Sequence, residues 1–101
     1  MDYAGITIAK RDGARECFSI EKIERAIAKA YRADGINDDE ASVKQIAGEV
    51  ASAIDKSEIS VEEIQDLVER QLMRRNPSVA KRFIIYREWR TKEREKRTSM
   101  K

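Results

Sequence analysis

The chain has 101 residues, of which 40% are charged and 41% apolar, a size and composition suited to one domain with a modest hydrophobic core. It contains one cysteine and no histidine, which excludes an internal disulfide framework, a zinc ribbon and any catalytic triad that depends on histidine. Its net charge of +2 is unevenly distributed: positions 34–69 carry 11 acidic and two basic residues, whereas positions 70–101 carry 12 basic and three acidic residues.

The first predicted element is a β-hairpin that leads directly into a helix. Ile6-Thr7-Ile8 alternates apolar and polar side chains as a half-buried strand does, and residues 15–18 form the returning strand. Asp12-Gly13 predicts the tight turn between them, since glycine tolerates the positive φ that such turns require. Ser19 is expected to cap the following helix with its hydroxyl.

Two helices are predicted next. The first runs from Ile20 to about Arg32, where apolar residues recur every three or four positions, and ends near Gly35. Residues 37–39 (Asn-Asp-Asp) predict the start of the second, because such side chains cap helices and acids favour the positive end of the helix dipole. The second helix has an apolar face that comprises Val43, Ile46, Ala47, Val50, Ala51 and Ile54.

A third helix is predicted from a capping box. Ser60 and Glu63 form the Ser-x-x-Glu pattern in which each side chain bonds the other residue's backbone N–H. The helix has an apolar stripe at Ile64, Leu67, Val68 and Leu72. Immediately before it, Glu58-Ile59 is expected to add a very short strand to the hairpin.

The fourth helix is predicted to begin at Asn76-Pro77, with Asn76 as its cap. Residues 83–86 are four consecutive apolar side chains, which point in every direction around a helix, so this helix is expected to be covered on more than one side at the centre of the bundle. After Trp89 the apolar residues end, and residues 90–97 are expected to extend as a solvated helix or to fray. The predicted fold class is α+β, mainly α: a four-helix bundle capped by a short N-terminal β-hairpin or a small three-stranded sheet.

The uneven charge leaves several functions open. One interpretation is two solvated faces that attract each other; another is a basic face that meets polyphosphate or a different acidic partner. A basic helical nucleic-acid-binding or transcription-regulatory module is an alternative, because Phe83, Tyr86 and Trp89 alternate with basic residues, although their helical spacing favours burial. A structural docking domain without a ligand is a third. No catalytic constellation or glycine-rich phosphate loop is visible, so we expect a binding module and no enzyme.

Three motifs in order resemble one known family. Lys10-Arg11-Asp12-Gly13, followed by Phe18 and Lys22-Ile23, resembles the opening of the ATP-cone domain. Residues 61–69 and 79–87 resemble the third and the final helix of that domain. The resemblance extends over roughly residues 6–94 and implies a regulatory domain at residues 1–94, with residues 95–101 as a charged tail that links it to a host domain.

This resemblance implies an allosteric function. Cones in the family bind ATP or dATP, with Mg²⁺ held through the phosphates, and control the overall activity of a ribonucleotide reductase. The implied partners are adenine nucleotides and the host reductase, with oligomerisation through the cone, and neither a membrane nor nucleic acid is expected. No secretory signal is visible and no apolar run approaches the ~20 residues of a membrane span, which predicts a cytoplasmic protein. No metal site formed by the protein itself is expected.

Three cations are predicted to bind the phosphates. Lys10 and Arg11 come just before the hairpin turn and Lys22 lies in the first turn of a helix, so the three converge near a helix start, where anions bind readily. Judged by residue type alone, Lys10 and Arg11 are expected to be solvent-exposed charged side chains beside a turn. The resemblance implies phosphate contacts for this pair and for Lys22.

Two residues are predicted near the sugar. Glu16 and Ser19 match positions that contact the sugar in the family, where a carboxylate accepts from a ribose hydroxyl. The alternatives are a charge partner of Arg11 or Arg15 for Glu16, and a helix cap for Ser19. Ser19 replaces an asparagine that is frequent at this position, which leaves the preference for ATP or dATP open.

The resemblance implies that the base lies at the start of the third helix. Val61 would make a backbone or apolar contact, and Gln65 would pair with the base or face the solvent. Ile8 and Ile23 would sandwich the purine or belong to the core.

Arg87 and Arg90, about one turn apart on the last helix, complete the predicted site as further phosphate contacts. The alternative is a solvated basic face that is paired with Glu88 and Glu93.

Overall fold

The computed structural model describes residues 5–35 and 40–99. Its elements are β1 (Thr7–Ala9), β2 (Arg15–Cys17), α1 (Ile20–Ala33), α2 (Glu40–Ser52), β3 (Glu58–Ser60), α3 (Val61–Arg75) and α4 (Pro77–Ser99). This architecture confirms the predicted α+β, mainly α class with four helices and a small sheet near the N-terminus. The caps expected for α2 at residues 37–39 lie outside the described residues.

The sheet has three strands in the order β2-β1-β3. β1 is antiparallel to β2, with Ile8 opposite Glu16, and parallel to β3, with Ile8 opposite Ile59. The hairpin turn is closed by the N–H of Lys10, which donates to the carbonyl of Ala14 at 2.8 Å, and it places Gly13 at φ +87°. The expected short strand before α3 is therefore confirmed, and it pairs with the first strand.

The hydrophobic core lies among the four helices and against the sheet. Its largest fully buried side chains are Ile27 on α1, Ile46 and Val50 on α2, Leu72 on α3 and Val79 on α4. α1 packs against α2 and α4, and α3 packs against the same two helices. The predicted apolar stripes of the first three helices face this core.

The helix starts differ in how their free N–H groups are bound. Ser60 and Glu63 form the predicted capping box, with both reciprocal hydrogen bonds at 3.1 Å. Asn76 caps α4 through its Oδ1, which accepts from the N–H of Val79 at 3.4 Å. Ser19 has the extended backbone of a cap residue, but its hydroxyl donates to Glu21 Oε2 at 3.2 Å and caps no N–H. The prediction of a side-chain cap at Ser19 was therefore wrong.

The position of α4 corrects a second expectation. Phe83 is buried, but Ile85 is 59% and Trp89 54% exposed, and Tyr86 is 43% exposed. Only α1 and α3 pack extensively on this helix, so the side occupied by Ile85 and Trp89 faces solvent, and the prediction of a central helix was wrong. The charged stretch after Trp89 continues the helix to Ser99. In the described part of the chain, no helix combines the length and apolarity required to cross a membrane.

Candidate functional site

A pocket of about 430 Å³ opens between the sheet and three helices, a volume within the range of small-molecule sites. It is lined by residues of β1, β2, α1, α3 and α4, and by Ser19 at the start of α1. Both pairings of β1 contribute to this arrangement, because one aligns Glu16 with Ile8 and the other brings the start of α3 beside the hairpin.

Nine of the eleven residues predicted for the site line this pocket: Ile8, Glu16, Ser19, Lys22, Ile23, Val61, Gln65, Arg87 and Arg90. The other two, Lys10 and Arg11, do not line it. Lys10 is ion-paired with Glu16, and Arg11 is ion-paired with Glu62, the residue after Val61. The structure thus gathers predicted site residues around one pocket, although they come from distant parts of the chain, including the hairpin and the last helix.

Part of the pocket surface is apolar. Ile8 and Ile23 are 8% and 6% exposed, and both belong to the core while also lining the pocket. The two interpretations of these residues from the sequence are therefore compatible. Ile64 and Phe83 continue the apolar surface, which suits a flat, poorly hydrated group.

Gln65 is the polar residue of α3 that lines the pocket beside this apolar surface. Its Oε1 is buried and has no hydrogen-bond partner among the described residues. A buried amide oxygen without a partner is costly, so a ligand that donates a hydrogen bond to it would be stabilised there. A glutamine amide both accepts and donates, which matches the pattern on the edge of adenine.

The remaining surface is strongly cationic. The basic side chains that line the pocket are Lys22, Lys29, Arg87, Arg90 and Arg94, whereas Glu16 is the acidic residue of the described part that does so. A concave surface with one sign of charge raises the local concentration of ions of the opposite sign. The pocket surface therefore favours an anion.

Glu16 lies between two of the predicted phosphate ligands. Its Oε1 accepts from Lys22 Nζ at 3.1 Å, and its Oε2 is 3.8 Å from Lys10 Nζ. The expected alternative of a pair with Arg11 or Arg15 was wrong, since Arg11 bonds Glu62 and Arg15 bonds Glu58.

Arg11 joins the hairpin to α3. Its Nε donates to Oε2 of Glu62, 51 residues along the chain. Burial acts to raise the pKa of the Glu62 carboxyl, but a backbone N–H bond and the guanidinium groups of Arg11 and Arg87 hold the pKa below its ordinary value. Glu62 is therefore held as a carboxylate at the edge of the pocket.

Arg87 lies deep between α3 and α4. Its Nη1 donates to Glu69 at 2.6 Å and to Asp66 at 2.9 Å, and its Nη2 donates to the carbonyl of Glu62 at 3.4 Å. Burial acts to lower the pKa of this guanidinium, but the two carboxylates outweigh it and raise the pKa. Two acids of α3 thus already neutralise Arg87, which fixes α4 beside α3. The expected pairing with Glu88 or Glu93 is replaced by this contact between helices.

Several lining residues were not predicted: Ala26, Lys29, Ile64, Val68, Phe83, Tyr86 and Arg94. Helical spacing could have indicated two of them, because Lys29 follows Lys22 by two turns and Arg94 follows Arg90 by one turn. Burial lowers the pKa of Arg94, and repulsion from Arg11 and Arg90 lowers it further.

The described residues contain no cluster of three or more His, Cys, Asp or Glu side chains suited to a metal ion. Glu16 and Glu62 are both engaged by cations.

The fold and the pocket define a small ligand-binding module, in which an apolar surface beside a cationic one suits an anion that carries a flat ring. The chain belongs to the ATP cone domain family, whose model matches residues 6–92. The resemblance seen in the sequence is therefore confirmed. Membership in this family supports an allosteric, nucleotide-binding regulatory role.

The similar proteins are ribonucleotide reductases. The chain is 42% identical over 97 residues to an anaerobic ribonucleoside-triphosphate reductase of Haemophilus influenzae, covering 92% of this chain and 14% of that protein. It is 38% identical over 103 residues to a ribonucleoside-diphosphate reductase subunit alpha of Chlamydia pneumoniae, covering 88% and 10%. It is 39% identical over 102 residues to a vitamin B12-dependent ribonucleoside-diphosphate reductase of Thermoplasma acidophilum, covering 92% and 13%.

The chain therefore spans 10–14% of the length of these relatives. It is a cone domain, and the catalytic parts of the reductases lie outside the matched segment.

Proposed function

We propose that this domain binds ATP and dATP, and that it thereby controls the overall activity of a ribonucleotide reductase. The observation that carries the proposal is the pocket itself, in which the unsatisfied amide oxygen of Gln65 and an apolar surface occur together with five cations. An adenine nucleotide has a flat ring with an amino group at one end and a polyphosphate at the other. Few ligands combine these features.

In the proposed complex the base lies against Ile8, Ile23 and Val61. Its amino group donates to the Oε1 of Gln65, while a ring nitrogen accepts from the amide N–H. This pairing would satisfy the buried oxygen, and it gives a reason for a preference for adenine.

The phosphates lie among Lys10, Arg11, Lys22 and Arg90 in this proposal. Lysine and arginine bind phosphate by charge-assisted hydrogen bonds, and arginine adds a planar fork. Mg²⁺ would bind the phosphate oxygens, because it keeps several waters and is typically held by substrate phosphates with few protein ligands. Arg87 would act mainly by holding α4 in place, since Asp66 and Glu69 already bind its guanidinium.

The choice between ATP and dATP depends on the 2′-hydroxyl, for which Glu16 and Ser19 are the proposed neighbours. Both line the pocket, and the hydroxyl of Ser19 is bonded to Glu21. If ATP permits turnover and dATP inhibits it, the two nucleotides must differ in their affinity for two assembly states of the host. Oligomerisation through the cone is the proposed form of that change.

The proposed host is a ribonucleotide reductase, as the names of the relatives suggest. We further propose that the domain belongs to the catalytic subunit of this host and that the host is cytoplasmic. We place the regulatory domain at residues 1–94 and the link to the host at residues 95–101. Because α4 continues without a break to Ser99, this link would begin as a helix and could transmit a shift of α4.

Isothermal titration calorimetry with ATP and dATP in Mg²⁺ tests the proposal. We expect submillimolar or tighter binding of both nucleotides, and clearly weaker binding of GTP and CTP. A flat trace with both adenine nucleotides on a folded sample would contradict the function. Equal affinity for all four bases would leave only a polyphosphate site.

The nucleic-acid alternative is not favoured, because Phe83 is buried and Arg87 is bound to acids of α3. It still predicts a distinct result: binding of a duplex oligonucleotide that weakens steeply with salt. Oligonucleotide binding at physiological salt without nucleotide binding would support that alternative.

A further inference from the structure

The large apolar side chains that remain exposed are concentrated on one helix. In the described part of the chain there are four, and three of them lie on α4: Ile85, Tyr86 and Trp89. The fourth, Met73, lies on α3. Ile85 and Trp89 are four residues apart, so they follow each other along one face of the helix, opposite the buried Phe83. Neighbouring exposed apolar residues of this kind are typical of a binding surface.

Trp89 is held in place by a neighbouring ring. The ring centroids of Tyr86 and Trp89 are 6.2 Å apart and the two planes differ by 26°, which is a stacked arrangement. A side chain that is already fixed loses little conformational freedom when a partner covers it. Tryptophan is also one of the residue types that contribute most of the binding energy at the centre of an interface. Trp89 therefore has the properties of an anchor residue.

Two lysines frame the apolar pair. Lys81 lies one turn before Ile85, and Lys92 lies three residues after Trp89, so the four side chains form one row, which we call the α4 row. All four are exposed. The first turn of α4 contains no acidic residue, whereas Glu88 shares a groove with Lys92 and offsets part of the charge at that end. The α4 row thus has an apolar centre and positively charged ends.

We propose that the α4 row binds an acidic amphipathic helix of another protein. Two apolar side chains of that helix, four residues apart, would pack on Ile85 and Trp89, while carboxylates beyond them pair with Lys81 and Lys92. The lysines are eleven positions apart, or about 16 Å along the helix axis, so the carboxylates of the partner are expected about eleven positions apart as well. None of the four row residues lines the nucleotide pocket, so this inference does not depend on the proposed function.

Other occupants match this surface less well. If α4 of a second copy packed on the row, parallel pairing would bring Lys81 near Lys81, and the antiparallel pairing that joins Ile85 to Trp89 would bring Lys81 near Lys92. A nucleic acid would bind the lysines through its phosphates but would leave the two apolar side chains without a partner. A membrane surface requires a broader apolar face than two side chains.

A pair of synthetic peptides tests the proposal. The acidic peptide is a helix of about 20 residues with two leucines four residues apart and a glutamate one turn beyond each, and its twin has lysines in place of the glutamates. The chain has a single tryptophan, so its fluorescence reports on the α4 row when the peptides contain none. We expect the acidic peptide to shift the emission to shorter wavelength with a Kd below about 1 mM, and the lysine peptide to cause no shift.

Variants of the row identify the residues that bind. Trp89→Ala should weaken binding of the acidic peptide by about tenfold or more, measured by calorimetry. The matched control is Met73→Ala, which removes an apolar side chain of similar exposure from α3 and should bind like the parent. The double variant Lys81→Glu/Lys92→Glu should reverse the preference and bind the lysine peptide more tightly than the acidic one. Circular dichroism checks that each variant is folded.

Absence of a fluorescence shift with the acidic peptide would overturn the inference, as would an unchanged peptide preference in the double variant. Sedimentation of the chain alone and titrations with duplex DNA and with phosphatidylserine vesicles examine the other occupants. If one of these covered Trp89 and the acidic peptide did not, the row would belong to that occupant. A parent chain that binds ATP but not the acidic peptide would refute this inference and leave the proposed function intact.

Discussion

The Nζ of Lys22 lies 3.1 Å from Oε1 of Glu16, and the same carboxylate is 3.8 Å from the Nζ of Lys10. Two proposed phosphate ligands thus share one protein anion. Glu16 is one-third exposed, so these pairs are weak enough for a phosphate chain to displace.

Glu16→Gln should therefore strengthen the binding of inorganic triphosphate severalfold, because both lysines then meet the ligand without a competing carboxylate. Glu24→Gln is the control, since Glu24 lies on α1 in another groove. Calorimetry at low and high salt measures the change. Weaker binding of inorganic triphosphate by Glu16→Gln would show that Glu16 helps to hold the lysines in place.

Lys22→Glu should weaken dATP binding by on the order of a hundredfold or more, because it removes a charge-assisted contact and places a carboxylate against the phosphates. The melting temperature should change little. An acid suits the first turn of a helix, which offsets the new repulsion from Glu16.

Arg25→Glu is the control for Lys22→Glu. It lies on the same helix in a separate groove, whereas Lys29 lines the pocket. If Lys22→Glu bound dATP as tightly as the parent, the phosphates would not bind at the start of α1.

Gln65→Glu should shift the base preference from adenine towards guanine. A carboxylate only accepts, so it can take the two N–H donors of guanine but cannot donate to a ring nitrogen of adenine. We expect the ratio of ATP to GTP affinity to fall by about three- to tenfold, and Gln65→Leu to reduce the affinity for ATP. Competition titrations give the ratios, and an unchanged ratio in both variants would remove Gln65 from the base contact.

Arg87→Gln should lower the free energy of unfolding by about 1–3 kcal/mol, because Asp66 and Glu69 lose the guanidinium that joins them to α4. Arg74→Gln, on the exposed side of α3, should be nearly neutral. Urea unfolding of both variants measures the difference. If Arg87→Gln retained parental stability but lost nucleotide binding, Arg87 would be a direct ligand contact.

Asp34 should contribute a pH-dependent part of the stability. Hydrogen bonds from Ser78 and Arg82 at the start of α4 hold the pKa of this carboxyl below its ordinary value of 3.8. The folded state therefore binds its proton less readily than the unfolded chain. The contribution is present above pH 3.8 and is lost as the pH falls through the lower pKa of the folded state. Asp34→Asn should be less stable than the parent at neutral pH, and the difference should shrink in acid unfolding experiments.

The parts of the fold that depend on local chemistry could be predicted from the sequence. Two helix starts are examples: the capping box of Ser60 and Glu63 begins α3, and a proline begins α4. Each depends only on residues that are close together in the chain. The hairpin likewise depends on Asp12-Gly13, where the carboxylate of Asp12 accepts from the N–H of Ala14 at 2.9 Å. The family motifs indicated nine pocket residues, because each motif keeps its site residues close together in the chain.

The parts that depend on packing between elements could not be predicted in this way. The apolar run at residues 83–86 does not indicate how many helices surround α4, so the exposure of Ile85 was missed. The engagement of Arg87 by α3 and of Arg11 by Glu62 depends on tertiary contacts between distant segments. Arg94 was missed because it lies in a charged stretch without an apolar pattern.

Because β1 pairs in parallel with β3, the site can form only after much of the domain has been synthesised. β1 leaves the ribosome about fifty residues before its partner strand and the start of α3. Until then the hairpin is an isolated two-stranded unit, which is marginally stable in water. A growing chain cannot close the pocket before α4 is made. Fragments that end before residue 77 would lack the surface formed by Phe83, Arg90 and Arg94 and would be exposed to proteolysis.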